Sequence, residues 1–301
     1  MKGRIETVKV KFECPSCLLN RAQVESERAS SDPSLRLETL MAAVREIGCH
    51  ITPDVTPSYL GTIRDRTIKK VSGNPDPFRI EKITSNDQAL KLTSHVRKYV
   101  QSGRNRSEQF RRACLASIVG NAFEFGIKGY DFRYENLPRM IETADHDLAI
   151  DDIGLIESLV AKSKNMLLLT DNAGEIAFDK ILVEYARQMG AYVVVAVKAA
   201  PISNDATMED ANAVGMAETA NRVITTGTDS VGLQYEECSK EFVEIYSKSD
   251  LIIAKGMAHY ETLSEMRLHR PHALMFRVKC GAIANDLAVD LGKNVAFLVK
   301  P

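Results

Sequence analysis

The sequence predicts a multi-domain α and β fold, with an N-terminal all-helical domain over residues 1–150 and a C-terminal doubly wound α/β/α domain over residues 151–301. Two observations predict this. Before residue 150, apolar residues recur at helical spacing between turn residues, without a convincing strand. After residue 151, short runs of Val, Ile and Leu alternate with helical segments, as in a sheet covered on both faces.

Five helices are expected in the first half. Pro57 and Pro77 stand where a proline in the first helical turn is tolerated. The segments between the helices contain Pro, Gly, Asn and Asp, which favour turns. The expected helices cover residues 15–29, 34–47, 57–71, 77–101 and 107–124.

The second half predicts a mainly parallel, Rossmann-like sheet. Its expected strands cover residues 166–170, 192–197, 222–226, 251–254, 273–278 and 295–299. Helical segments fit between them, for instance residues 175–189 and 240–247. Right-handed crossovers should then place the carboxyl end of every strand at one edge of the sheet.

Polar residues follow several of these strands. Asp171 and Asn172 follow the first, Asp205 follows the second, and Lys255 follows the fourth. In open α/β sheets, ligands bind outside the carboxyl ends of the strands. Carboxylate and amide oxygens suit Mg²⁺ or Mn²⁺, and a lysine can hold a phosphate. The strand ends therefore predict a metal-assisted phosphoryl-group site.

Each residue alone has a simpler interpretation. Asp171-Asn172 and Asp205 are favoured helix-capping types, and a lone lysine after a strand is usually solvated. Their coincidence at three strand ends favours the site. A dinucleotide or S-adenosylmethionine site would require a glycine-rich turn after the first strand, and no Gly-Lys-Ser/Thr follows a strand. A phosphatase with Asp171 as covalent nucleophile stays open.

The composition of the chain argues against some classes of binding partner. The net charge of −1 and the absence of Trp argue against nucleic acid. No segment has the length and apolarity of a signal peptide or membrane span, so no membrane partner is expected. Six scattered cysteines do not form a disulfide framework. We expect a reducing, cytoplasmic setting; the sequence does not specify the oligomeric state.

Several motifs in one order resemble a known family, the metal-dependent damage-control phosphatases, also called the acidic-residue methyltransferase-like group or domain of unknown function 89. The archaeal members are the most similar. The matching motifs are Cys14-Pro-Ser-Cys17, Asp76-Pro77-Phe78, Lys82, Asn86, Val119-Gly120-Asn121-Ala-Phe-Glu124-Phe-Gly126, Thr170-Asp171-Asn172-Ala-Gly-Glu175, Pro201-Ile-Ser-Asn204-Asp205-Ala-Thr207 and Ala254-Lys255-Gly256. They span essentially the whole chain.

The resemblance implies a phosphomonoesterase that depends on a divalent cation (Mg, Mn, Co or Ni) and hydrolyses small phosphorylated metabolites, such as sugar phosphates or damaged cofactor intermediates. The implied metal ligands are Asp171, Asn172 and Asp205. The implied catalytic residues are Asp171, Asp205 and Lys255, with Lys255 contacting the phosphate. The implied substrate-binding residues are Asn121, Glu124, Glu175, Lys255, His259 and Glu261.

Two positions depart from the family pattern. Glu124 stands where Asp is usual, and His259 stands where an Asn is usual. These departures put substrate choice and metal preference in question rather than the reaction type. Either a metal-bound water or Asp171 itself could be the nucleophile. Competing functions are protein carboxyl (glutamate) methyl transfer and non-catalytic metabolite binding.

Cys14 and Cys17 are spaced like one edge of a zinc or iron–sulfur site, a possible second metal or structural site. Such a site needs further ligands, which Cys280 or a histidine could supply in space. The alternative is a turn at a helix start, with Pro15 in the first turn and both cysteines packed as small hydrophobic residues.

Overall fold

The computed structural model describes residues 7–123 and 133–301. The five helices expected in the first half are present, with ends that differ by up to four residues. Asp32, Thr56 and Asn105 cap three of them by accepting backbone N–H groups of the first turn. These helices are α1 (Cys14–Ala29), α2 (Pro33–His50), α3 (Pro57–Ser72), α4 (Arg79–Gln101) and α5 (Arg106–Gly120).

The six expected strands are also confirmed, with ends that differ by at most one residue. The strands are β1 (Leu148–Asp151), β2 (Asn165–Leu169), β3 (Tyr192–Val197), β4 (Arg222–Thr225), β5 (Leu251–Lys255), β6 (His272–Arg277) and β7 (Asn294–Val299). The helices of this part are α6 (Leu137–Glu142), α7 (Ile153–Val160), α8 (Glu175–Gln188), α9 (Met208–Ala213), α10 (Lys240–Lys248), α11 (Met257–Ser264) and α12 (Gly281–Leu287).

The strands form one seven-stranded sheet in the order β1-β7-β6-β5-β2-β3-β4. Five neighbouring strands of the sheet, β6, β5, β2, β3 and β4, are parallel to one another. Strand β7 runs antiparallel to β6, and β1 runs parallel to β7. The expectation that every strand ends at one edge is therefore wrong for β1 and β7. The expectation of no strand before residue 150 is also wrong, because β1 begins at Leu148. The domain division at residue 150 stays a prediction.

Helices cover both faces of the sheet. Alternate residues of β2 enter different apolar clusters, with Leu168 on one side and Leu167 on the other. Phe110 of α5 shares the first cluster, and Phe242 of α10 shares the second. Burial on both faces explains the unbroken apolar runs of the strands. Among the residues that the structure describes, no helix combines the length and apolarity needed to cross a membrane.

Candidate active site

A cavity of about 150 Å³ opens at the carboxyl ends of β2 and β3. Asp171 and Asp205, the two carboxylates predicted from the strand ends, both line it. Cys17 of α1, Glu261 of α11 and Lys279 after β6 form other parts of its wall. The structure thus brings together residues that lie far apart in the sequence, at the edge of the sheet where the sequence predicts a site.

Asp171 is held in one orientation. Its Oδ2 accepts hydrogen bonds from the Nδ2 atoms of Asn121 (2.7 Å) and Asn172 (3.0 Å). Gly256 lies directly against the carboxylate, since a Cβ at this position would stand 2.0 Å from Asp171 Oδ2. Gly256 also has a φ of 85°, so no other residue fits there without displacing Asp171.

Asp205 is positioned by a pairing of the two strand-end loops. Asn172 and Asp205 form an isolated antiparallel β-bridge, and the Ala206 N–H donates to the Asp171 carbonyl at 2.7 Å. Ser203, two residues earlier, has a φ of 46°, which is uncommon for a residue other than glycine. The Lys198 ammonium lies 3.6 Å from Asp205 Oδ2. These contacts bring both carboxylates to one cavity.

Glu175, predicted to bind substrate, is fully buried and organises the surrounding amides. Its Oε2 accepts from Asn121 Nδ2 at 2.8 Å and from both the backbone N–H and Nδ2 of Asn172. Its Oε1 accepts from Lys255 Nζ at 2.7 Å. Glu175 therefore acts on Asp171 indirectly, through the two amides that contact it.

Lys255 has no exposed surface, and its Nζ donates to three acceptors. These are the Ser117 carbonyl, Glu175 Oε1 and Asp179 Oδ1, at 2.7–2.9 Å. Burial alone would lower the pKa of Lys255, but the two carboxylates outweigh it and raise the pKa. Burial raises the pKa of Asp179 to about 6 against the opposing effect of Lys255. Contact of Lys255 with a phosphate stays a prediction.

A second set of polar contacts ties the helical half to both loops. Asn86 of α4 accepts from the Gly174 N–H at 2.7 Å and donates to Asp210 Oδ1 at 2.8 Å. Asp210 in turn accepts from the Thr207 N–H at 2.8 Å. Lys82 lies 2.7 Å from Asp76 and 3.8 Å from Asp210. The family motifs that contain Lys82 and Asn86 therefore fix the loops that carry the two aspartates.

The remaining predicted residues differ in their placement. Glu261 lines the cavity and accepts from the Ser58 N–H at 2.8 Å, and burial raises its pKa to about 7. Asn121 and His259 are buried, and neither is among the described residues that line the cavity. Glu124 lies outside the described residues.

His259 is expected to stay neutral at every pH above about 3. Burial, reinforced by the Lys198 charge, lowers its pKa from 6.5 to about 3, and its Nε2 has no hydrogen-bond partner in the described part of the chain. Because the unfolded chain takes up a proton near pH 6.5 and the folded chain does not, this group lowers stability as pH falls from 6.5 towards 3.

A titration of the histidine ring signals by NMR checks this, with half-exposed His50 as the internal reference. The His259 signal should not move between pH 8 and pH 5. A His259 midpoint close to 6.5 would contradict the burial described here.

Lys279 is a site residue that the sequence interpretation missed. It is buried, lines the cavity and donates from Nζ to the Asn121 carbonyl at 2.8 Å. It follows β6 just as Lys255 ends β5. The strand-end criterion, applied to one more strand, would have found it.

The residues present fit a hard divalent cation. Asp171 and Asp205 supply carboxylate oxygens to one cavity, and the bridge to Asp205 places Asn172 beside them. No group of three or more His, Cys, Asp or Glu side chains is arranged for a metal ion within residues 7–123 and 133–301. The set is thus two carboxylates and one amide, and Mg²⁺ is commonly held by one or two carboxylates with water and phosphate oxygens completing its shell.

The chain is similar to known proteins along nearly its full length. An uncharacterized protein of Methanocaldococcus jannaschii is 35% identical, with 98% of this chain and 97% of that protein covered. A damage-control phosphatase of Pyrococcus horikoshii is 34% identical, with 96% and 98% covered. The crystal structure of a duf89 family protein from Pyrococcus horikoshii superposes with a TM-score of 0.86 at 34% identity, covering 97% of this chain and 99% of that one.

The sequence profile of the damage-control phosphatase ARMT1-like domain matches residues 10–295. This match includes the loops that carry Asp171 and Asp205, as well as the helices packed against them. The chain therefore belongs to the damage-control phosphatase ARMT1-like family.

Proposed function

We propose that this chain is a divalent-metal-dependent phosphatase that hydrolyses small phosphomonoesters, with sugar phosphates or damaged cofactor intermediates as the substrate class. Membership in the family, and the relatives named damage-control phosphatase, support the phosphatase role. The observation that carries the metal requirement is the meeting of Asp171 and Asp205 in one cavity. A cytoplasmic location is part of the proposal.

Asp171, Asn172 and Asp205 would hold the cation, which would supply positive charge to offset that of the phosphate and would polarise its phosphorus. Asp171 is held by hydrogen bonds from Asn121 and Asn172, so its carboxylate keeps one orientation at the wall of the cavity. In that position it can orient a water for in-line attack or attack the phosphorus itself.

The ammonium group of Lys279, which lines the same cavity, offers a positive charge to the phosphate oxygens. It is buried and bonded to the Asn121 carbonyl, which makes its position depend on the same asparagine that orients Asp171. The buried ammonium group of Lys255 holds the carboxylates of Glu175 and Asp179 in place through ion pairs.

The organic part of the substrate occupies the wall formed by α1, α3, α11 and α12. Leu18, Pro57 and Ile283 make part of this wall apolar, whereas Arg21 and Glu261 supply polar contacts. A volume of about 150 Å³ suits a small metabolite, because pockets for drug-sized ligands are roughly 300–1,000 Å³.

Removal of divalent cations is expected to stop turnover of p-nitrophenyl phosphate. Protein treated with excess chelator and freed of it by dialysis should be inactive, and Mg²⁺, Mn²⁺, Co²⁺ or Ni²⁺ added singly should restore activity. The metal with the largest effect is then used to screen phosphorylated metabolites. Full activity in excess chelator would refute the metal requirement and leave the fold assignment untouched.

Carboxyl methyl transfer is the competing function. No feature of the cavity favours it, since the loop after β2 holds a single glycine, Gly174, and two predicted metal ligands. Tight binding of S-adenosylmethionine in the absence of phosphatase activity would support it over our proposal.

A further inference from the structure

Three cysteines line the cavity, and the proposed phosphatase mechanism uses none of them. Cys14 and Cys17 lie in the first turn of α1, and Cys280 immediately precedes α12. Each of Cys14 and Cys17 is close enough to Cys280 to act electrostatically on its thiol. Residues 263 positions apart thus meet at one wall, and all six cysteines of the chain are free. The other three lie elsewhere, at positions 49, 114 and 238.

The first turn of α1 gives Cys14 and Cys17 the spacing of a disulfide. Residues three apart in an α-helix share a face, with Cα atoms about 5 Å apart, and disulfides span Cα distances of roughly 4.4–6.8 Å. Helical side chains lean towards the N-terminus, so Cys17 leans towards Cys14. Pro15 fixes the backbone between them at a position that favours a helix start.

The thiols of Cys14 and Cys17 differ in access to solvent. Cys14 is buried, whereas Cys17 is half-buried and reachable. Burial raises the pKa of Cys14 and raises the pKa of Cys280 to about 12, so both remain protonated until a reaction partner is adjacent. Cys17 is therefore the attacking thiol and Cys14 the resolving one.

We propose that Cys14 and Cys17 form a thiol–disulfide exchange site whose co-reactant is a low-molecular-weight disulfide. Cys17 thiolate attacks one sulfur of the small disulfide, forms a mixed disulfide and releases one small thiolate. Cys14, as its proton leaves to solvent, attacks Cys17 Sγ and releases the second small thiolate. The protein loses two electrons to the small disulfide, and the two protons from the cysteines protonate the two released thiolates.

The product disulfide lies in the wall of the same cavity as Asp171 and Asp205. The inference does not depend on the phosphatase proposal, because it rests on the positions of the cysteines alone. Transient disulfides of this kind occur in reducing compartments, where structural disulfides are rare.

The test uses the intact protein incubated with glutathione disulfide, then alkylated and digested with trypsin. Cleavage after Lys11 and Arg21 yields one peptide, residues 12–21, that contains both cysteines. We expect this peptide to lose two hydrogen atoms and to recover them after treatment with dithiothreitol. Cys14→Ser should trap glutathione on Cys17, and Cys17→Ser should abolish the change.

Cys49→Ser is the matched control, because Cys49 is exposed near the end of α2 and is not among the described residues that line the cavity; this variant should oxidise like the wild type. Two results would overturn the proposal. One is a peptide 12–21 that remains reduced while Cys49 carries glutathione. The other is a disulfide from Cys17 to Cys280 in place of the pair within the turn.

Discussion

Asp171→Asn is expected to reduce phosphatase turnover by about a thousandfold or more, the scale seen when a group that contacts the transition state is lost. The substitution removes the negative charge of Asp171, which in our proposal binds the cation and either orients the attacking water or attacks the phosphorus. It retains an oxygen that can accept the hydrogen bonds of Asn121 and Asn172. Shape is nearly unchanged, so the fold should persist. Initial rates with p-nitrophenyl phosphate and circular dichroism measure the two effects.

Asp229→Asn is the matched control for this variant. Asp229 also follows a strand, β4, but it pairs with Arg66 and Lys69 and is not among the described residues that line the cavity. Turnover of this variant should stay close to that of the wild type, because the substitution removes no group from the cavity. A folded Asp171→Asn protein with rates like this control would refute the role of Asp171.

Lys255→Met is expected to lower the free energy of unfolding by about 3–5 kcal/mol, the usual cost of breaking a buried ion pair on one side. The variant leaves Glu175 and Asp179 buried without their shared cation. Urea denaturation at pH 7.5 measures the loss. Lys248→Met is the control, because the Lys248–Glu244 pair is exposed to solvent and its loss should change stability little.

The loss in free energy of unfolding caused by Lys255→Met should become smaller at lower pH, because Asp179 then takes up a proton. Burial already raises the pKa of Asp179 from 3.8 to about 6 in the folded protein, and removal of Lys255 raises it further. The folded variant then binds protons that the unfolded chain does not, so its stability rises as pH falls from 7.5 to 5. A difference from wild type that is constant over this range would contradict the arrangement.

Local signals explain how much of the fold could be predicted. Unbroken Val, Ile and Leu runs identify β2 to β7, and turn residues identify the starts of α1 to α5. Strand β1 was not predicted because its residues, Leu-Ala-Ile-Asp, contain no run of adjacent Val, Ile or Leu and alternate in burial. The reversal of β7 is a matter of long-range pairing, which periodicity within one segment does not encode.

Some residues of the candidate site could likewise be predicted from the sequence, and others could not. Asp171 and Asp205 could be found because topology places the ends of adjacent parallel strands together. The enclosure of Lys255 could not be predicted, because it depends on Ser117 and Asp179, which lie 138 and 76 residues away in the sequence. The spacing of Cys14 and Cys17 predicts one edge of a site, but the approach of Cys280 to the same cavity depends on tertiary packing.

The central claim is that Asp171 and Asp205 share one cation. The most direct test is diffraction at the manganese absorption edge from crystals grown with Mn²⁺. We predict one anomalous peak within coordination distance of carboxylate oxygens of both residues and beside Asn172. A peak that contacts only one of them, or none in this cavity at a Mn²⁺ concentration that saturates activity, would contradict it.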